Sequence, residues 1–286
     1  MTPEPQLPGG TSFPLGGPPA GIASPPVEPH LKVASVSKSF GAVEALRDVD
    51  FEVRRGEVMG LVGDNGAGKS TLMKILAGAH PADAGQFFID GREVTISSPH
   101  GAAELGIQIV YQDLALCENL DVTANVFLGH EPVTSGWVRI LPRRLRPLDD
   151  LNMELKAQEA LERLKVRTLK SVRMKVGVLS GGQRQAIAIA RAVRAESSIV
   201  LLDEPTAALG VAQTAQVLDV VASLRETGHA IVYISHNLQN VFGVCDRITV
   251  LRLGTNVAIH KTSETNPDQI VVEITRGVDK EVGDAA

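Results

Sequence analysis

Three short runs of residues have types and spacings suited to phosphate chemistry. The first, Gly63-Asp64-Asn65-Gly66-Ala67-Gly68-Lys69-Ser70, fits the pattern GxxxxGK[ST]. In such a loop, backbone N–H groups spaced by glycine and a following helix N-terminus surround a polyphosphate. Lys69 is then placed to reach the β- and γ-phosphates, and the Ser70 hydroxyl to coordinate Mg²⁺. The nucleotide-binding set predicted here is Gly63, Asp64, Asn65, Gly66, Ala67, Gly68, Lys69, Ser70 and Thr71. The second run is an apolar strand, residues 199–202, ending in Asp203-Glu204. Carboxylates at a strand's end emerge beside the phosphate loop, Asp203 to hold Mg²⁺ through its water shell and Glu204 to polarise an attacking water as general base. That adjacent pair points to ATP hydrolysis rather than binding alone. The third run, Leu179-Ser180-Gly181-Gly182-Gln183, again puts glycines at a helix start, where N–H groups and the Ser180 hydroxyl face phosphate.

The elements that must position these residues follow from the surrounding pattern. Residues 58–62 (VMGLV) form a near-continuous apolar run leading directly into the first loop, as expected of a central parallel strand buried on both faces. A helix is predicted over 70–79. Short strands are predicted over 31–36 and 49–53 with a turn at Gly41, and further strands over 199–202, 230–234 and 246–253. Helices are predicted over 212–226 and from Asn266-Pro267, an N-cap followed by proline at the first helical position. Between about 114 and 178, Met153, Ala157, Ala160, Leu161 and Leu164 recur at helical spacing among charged residues, which predicts a helical insertion. It is interrupted by an irregular stretch, 131–149, whose Trp137, Arg143, Arg144 and Arg146 read as a solvated loop or a contact for lipid headgroups. Alternating strands and helices give an α/β P-loop core.

Bulk composition narrows the class. The 286 residues carry a net charge of -5 and only 3% aromatics, which argues against a nucleic-acid surface or a base-stacking platform. Two cysteines, Cys117 and Cys245, lie far apart, which favours reduced thiols over a disulfide or metal site. No window approaches 18 consecutive apolar residues, and the first residues lack the layout of a signal peptide, so membrane work would require docking onto another protein. Residues 1–30 hold nine of the sixteen prolines and read as a disordered extension or a proline-rich ligand.

Taken in order, these motifs resemble the ATP-binding cassette family, the nucleotide-binding subunits of ABC transporters. LSGGQ at 179–183 matches that family's signature, and the likeness runs from about Leu31 to Arg276. The resemblance implies a RecA-like P-loop NTPase core with an antiparallel β subdomain and an inserted helical subdomain, about 114–180, that carries the signature. It implies ATP and Mg²⁺ as ligands. It also implies that Ser180, Gly181, Gly182 and Gln183 complete the ATP site of a second cassette, so that two subunits, most simply a homodimer, close on two ATPs. By the same resemblance Phe40 in VSKSFG stacks on adenine. Gln112 in IVYQD is the catalytic-loop glutamine and a metal ligand, and His236 in YISHN is the switch histidine near the γ-phosphate.

One position departs from the family. Where Ser-Ala-Leu-Asp is common, this chain has Ala207-Ala208-Leu209-Gly210, so the aspartate that bridges the two subunits is missing. EPTAALG and YQDLALCENLDVTANVFLG are similar to the ATPases of bacterial monosaccharide importers. This implies sugar import through separate transmembrane subunits fed by a sugar-binding protein, at the cytoplasmic membrane face. Those subunits would dock on the groove at 112–127, with Cys117, Glu118 and Leu120. The alternatives are a soluble cassette ATPase in translation or DNA maintenance, or an export ATPase.

Overall fold

The computed structural model describes residues 28–134, 147–166, 168–194 and 197–276. The expectations for residues 1–27, for Trp137, Arg143, Arg144 and Arg146, and for the tail beyond Arg276 fall outside the described residues.

Two sheets organise the chain. β1 (Leu31–Phe40) and β2 (Val43–Val53) form a hairpin turning at Gly41, whose φ of 61° suits glycine. With β4 (Ala84–Ile89) and β5 (Arg92–Val94) they make a four-stranded antiparallel sheet in the order β2-β1-β4-β5. The second sheet has the order β10-β9-β3-β8-β7-β6. Its members are β3 (Val58–Val62), β6 (Ile107–Val110), β7 (Ile199–Asp203), β8 (Ala230–Ile234), β9 (Arg247–Arg252) and β10 (Thr255–Lys261). All pairings in it are parallel except β9 with β10.

Alternation along the central strands explains their unbroken apolar sequences. Val58 and Val62 of β3, Val200 and Leu202 of β7, and Ile231 and Tyr233 of β8 face one core. Met59 and Leu61, Ile199 and Leu201, and Val232 and Ile234 face the other. A strand with a core on each side has no room for a polar face. The second core lies under the antiparallel sheet and holds α1 (Lys69–Leu76), whose Leu72, Met73, Ile75 and Leu76 are buried there. This helix is shorter than the predicted 70–79. Gly78 takes φ 71° and donates to Ile75 O, while Ala79 donates to Lys74 O, a left-handed stop that ends the helix.

The first core is covered by helices. α3 (Val122–Phe127), α4 (Asp150–Arg163) and α5 (Gly181–Val193) pack together. On α4 the buried face is Met153, Ala157 and Leu161, at the predicted spacing. α6 (Val211–Glu226), α7 (Leu238–Val244) and α8 (Pro267–Arg276) complete that layer, and α2 (Pro99–Glu104) leads into β6. The sequence patterns did not reveal β4, β5, β6, β10, α2 or α7.

Candidate functional site

The parallel strands β3, β6, β7 and β8 release their chains at one edge of the sheet, where open α/β sheets place ligands. From β3 comes Gly63, from β7 Asp203 and Glu204, from β8 His236, and from β6 Gln112. Fold geometry alone therefore gathers four of the predicted functional segments along one rim.

The loop after β3 is shaped by two glycines that nothing else could replace. Gly63 has φ 156°, and a Cβ there would lie 2.3 Å from Leu251 O. Gly68 has φ 100°, and its Cβ would sit 2.6 Å from Leu46 Cδ2 and 2.8 Å from Ala45 O. In the resulting curl the Ala67 N–H bonds Asp64 O at 3.1 Å. Among the described residues, the N–H groups of Gly66, Gly68, Lys69, Ser70 and Thr71 have no acceptor in the chain. Several free donors converging at the positive end of α1 form an anion cradle. Asp64, Asn65 and Ser70 are exposed on its rim, and Ala67 is buried beneath it.

Lys69 is held within this curl. Its side chain is buried, and Nζ donates to Gly63 O at 2.8 Å and Asp64 O at 2.9 Å. Burial pushes its pKa down, while Glu204, Asp64 and Asp203 pull it back up. Asp203 has its pKa raised, first by burial and then by the neighbouring Glu204 charge. No hydrogen bond reaches its carboxylate among the described residues. A half-buried carboxylate without a donor, beside an exposed hydroxyl at Ser70, suits a cation shared with phosphate oxygens. The oxygen donors of Asp203 and Ser70 are of the kind that hold Mg²⁺ jointly with a nucleotide.

Glu204 sits at φ 48°, just past the end of β7, with its N–H bonded to Ile234 O at 3.1 Å. This strained turn swings the carboxylate toward His236, whose Nδ1 lies 3.0 Å from Oε2. Behind it stands a network that sequence reasoning missed. Tyr233 Oη lies 3.3 Å from Thr206 Oγ1, which also accepts from Asn240 Nδ2 at 3.1 Å. Burial pushes the Tyr233 phenol up to about 12, so it stays neutral and ties the Glu204–Thr206 turn to β8 and α7. The apolar run of β8 pointed to burial of Tyr233, but no signal in the sequence paired it with Thr206 or Asn240.

Ser180 caps α5 in a reciprocal capping box. Its Oγ accepts from Gln183 N at 3.3 Å, and Gln183 Oε1 accepts from Ser180 N at 2.9 Å. Gly181 packs against Leu209, and Gly182 packs against Gln213 and Gln216 of α6. Gln112 shares a groove of about 510 Å³ with Leu116, Glu118, Gly181, Arg184 and Leu209. Phe40 is 44% exposed, its ring edge-on to His80 at 5.4 Å and 5.5 Å from Lys38 Nζ. Among the described residues no hydrogen bond joins residues 180–183 to residues 63–71. The structure thus brings together the loop, Asp203, Glu204 and His236. Gly210 begins α6 with no side-chain cap. A Cβ there would meet nothing within 4 Å, so the missing aspartate leaves open space.

Comparison with known proteins agrees with this geometry. The ABC transporter family profile matches residues 46–207. The xylose/arabinose import ATP-binding protein of Sulfolobus acidocaldarius is 41% identical over 86% of this chain and 93% of its own. The fructose import ATP-binding protein of Rhizobium meliloti is 41% identical over 81% of this chain and 88% of its own. A nucleotide-free ATP-binding cassette from an ABC transporter superposes with a TM-score of 0.73 at 28% identity, covering 87% of this chain and all of that one. With the phosphate cradle, the paired carboxylates and the signature helix on one α/β frame, this chain belongs to the ABC transporter family as one of its ATP-hydrolysing cassettes.

Proposed function

We propose that the chain energises import of a monosaccharide. It would work as one of a pair of cassettes attached to separate membrane subunits at the cytoplasmic face, with a sugar-binding protein delivering the substrate. Residues 31–276 form the ATPase unit, with about 114–180 as its inserted helical part. The observation that carries the reading is the set of unpaired N–H groups of Gly66, Gly68, Lys69, Ser70 and Thr71, with Asp203 and Glu204 beside Lys69. No helix of the described residues is long and apolar enough to cross a membrane, which accords with separate membrane subunits.

In this reading the phosphates of ATP occupy the cradle, and Lys69 exchanges Gly63 O and Asp64 O for phosphate oxygens. Phe40 offers its exposed face to adenine. Mg²⁺, when bound, would neutralise phosphate charge, with Ser70, Asp203 and Gln112 to hold it. Glu204 accepts the proton of the attacking water, and His236 orients Glu204 and the γ-phosphate. The Gly181 and Gly182 N–H groups at the start of α5, with Ser180 and Gln183, bind the ATP of the second cassette.

The test is co-purification with membrane proteins, followed by ATPase assay in liposomes with candidate pentoses and hexoses and their binding protein. Stimulation by one sugar-loaded binding protein is the expected result. A soluble dimer with no membrane partner and sugar-independent turnover would refute the importer reading in favour of a soluble ATPase.

A further inference from the structure

Phe40 is the last residue of β1, at a point where the strand keeps a neighbour on one side only. Pairing with β2 continues to Phe40 and Val43, but pairing with β4 ends at Ser37 and Ala84. Asp83, the residue before β4, takes over on the vacated side. Its N–H donates to Ser37 O at 2.9 Å, its Oδ2 accepts from the Ser39 N–H at 2.7 Å, and its Oδ1 accepts from Lys38 Nζ at 2.6 Å. One residue thus grips three successive positions of β1, immediately ahead of Phe40.

The grip reaches the ring as well. The Lys38 side chain is only 11% exposed, and its ammonium lies 5.5 Å from the centre of the Phe40 ring, within cation–π range. A lysine head left unpaired there would turn toward water, so the Asp83 carboxylate keeps it against the ring. The Lys38 hydrogen bond, and then that of the Ser39 N–H, hold the Asp83 carboxyl below its usual range, so it stays an acceptor at neutral pH. His80, edge-on to Phe40, and Asp83 both lie on the connection from α1 to β4. The N-terminus of that same helix forms the anion cradle, so this connection ties the ring to the place of the phosphates. A platform ordered before binding spares the nucleotide the entropy of ordering it.

We propose that Asp83 is a positioning residue for the nucleotide base: by pinning Lys38 and Ser39 it holds the Phe40 ring where adenine meets it. The proposal rests on the adenine contact given to Phe40 above. Asp83 acts through the end of β1 and not on the nucleotide.

A double-mutant cycle on the full-length chain tests it, with ATP affinity read by calorimetric titration and kcat at saturating ATP. Phe40→Ala should weaken ATP binding about tenfold. Asp83→Ala should weaken it about fivefold, with kcat lowered by less than about twofold. The double variant should bind no more weakly than Phe40→Ala alone, because a platform already removed cannot be misplaced. Asp83→Asn, which keeps one acceptor oxygen, should recover part of the affinity. If Asp83→Ala does not fold, as judged by thermal melting, Asp83→Asn takes its place in the cycle with the same expected non-additivity. Unchanged affinity in both Asp83 variants, losses that multiply in the double variant, or a loss of kcat as large as the loss of affinity would overturn the role of Asp83 while leaving that of Phe40 intact. Unchanged affinity in Phe40→Ala would instead refute Phe40's role, and Asp83's with it.

Discussion

Glu204→Gln removes the charge proposed to take the proton of the attacking water while keeping the shape of the side chain. The carboxylate lies 3.0 Å from Nδ1 of His236, whose side chain is 71% exposed. A pair so open to solvent contributes at most ~1 kcal/mol, and the amide can still bond the imidazole. A cassette of this size shifts its Tm by ~2–4 °C per kcal/mol, so melting should move by less than about 4 °C. Binding should not suffer either. The Glu204 charge is one of the causes that raise the pKa of Asp203, and removing it makes that carboxylate easier to ionise. The loss falls on chemistry, where a positioned general base contributes ~10²–10⁴-fold. At 1.36 kcal/mol per decade, that is ~2.7–5.4 kcal/mol of barrier. Phosphate release under saturating ATP, nucleotide titration and size-exclusion chromatography measure the three quantities. The expected outcome is turnover down at least about a hundredfold, affinity within about threefold and accumulation of an ATP-bound dimer. Turnover within about tenfold of the unaltered chain would refute Glu204 as the base.

Phe40→Ala should raise KM for ATP with kcat little changed, since a stacked base is worth ~1–3 kcal/mol; steady-state kinetics at varied ATP checks this. Gly63→Ala should abolish nucleotide binding and lower Tm, because its Cβ would collide with Leu251 O at 2.3 Å. Gly66→Ala, with φ 80° but no atom within 4 Å of the new Cβ, should cost only ~1 kcal/mol and keep the fold. Asp203→Asn should stabilise the nucleotide-free protein at neutral pH while impairing hydrolysis. Asp203's folded pKa lies above the usual 3.8, from burial and then Glu204. The folded state therefore binds more protons in that window, and stability falls as pH rises through it. The gain in Tm should be present above the folded value and disappear below pH 3.8.

Local patterns carried the chemistry into the sequence because each motif is a contiguous stretch of backbone. Gly63 to Ser70 bends by its own glycines, and Asp203 and Glu204 stand where the chain leaves the apolar strand β7 at its carboxyl end. The helical face of α4 was equally legible, since Met153, Ala157 and Leu161 repeat with the turn of the helix. β4 was not, because its Ala84, Gly85 and Gln86 are exposed and its identity depends on pairing with β1, far earlier in the chain. β6 has four residues, too few for a period to emerge.

The sequence by itself determined the reaction and most of the residues that could perform it. Tertiary structure decided how they are held. It laid Lys69 on two carbonyls of its own loop, set Glu204 at a strained φ against His236, tied Thr206 to Tyr233 and Asn240, and anchored Leu114 and Ala115 with Arg191. Apart from the Lys69 contacts, these join residues tens of positions apart, or depend on a backbone angle that neighbouring elements impose. Burial and long-range hydrogen bonding leave no periodic trace in a single chain, so only the folded arrangement reveals them.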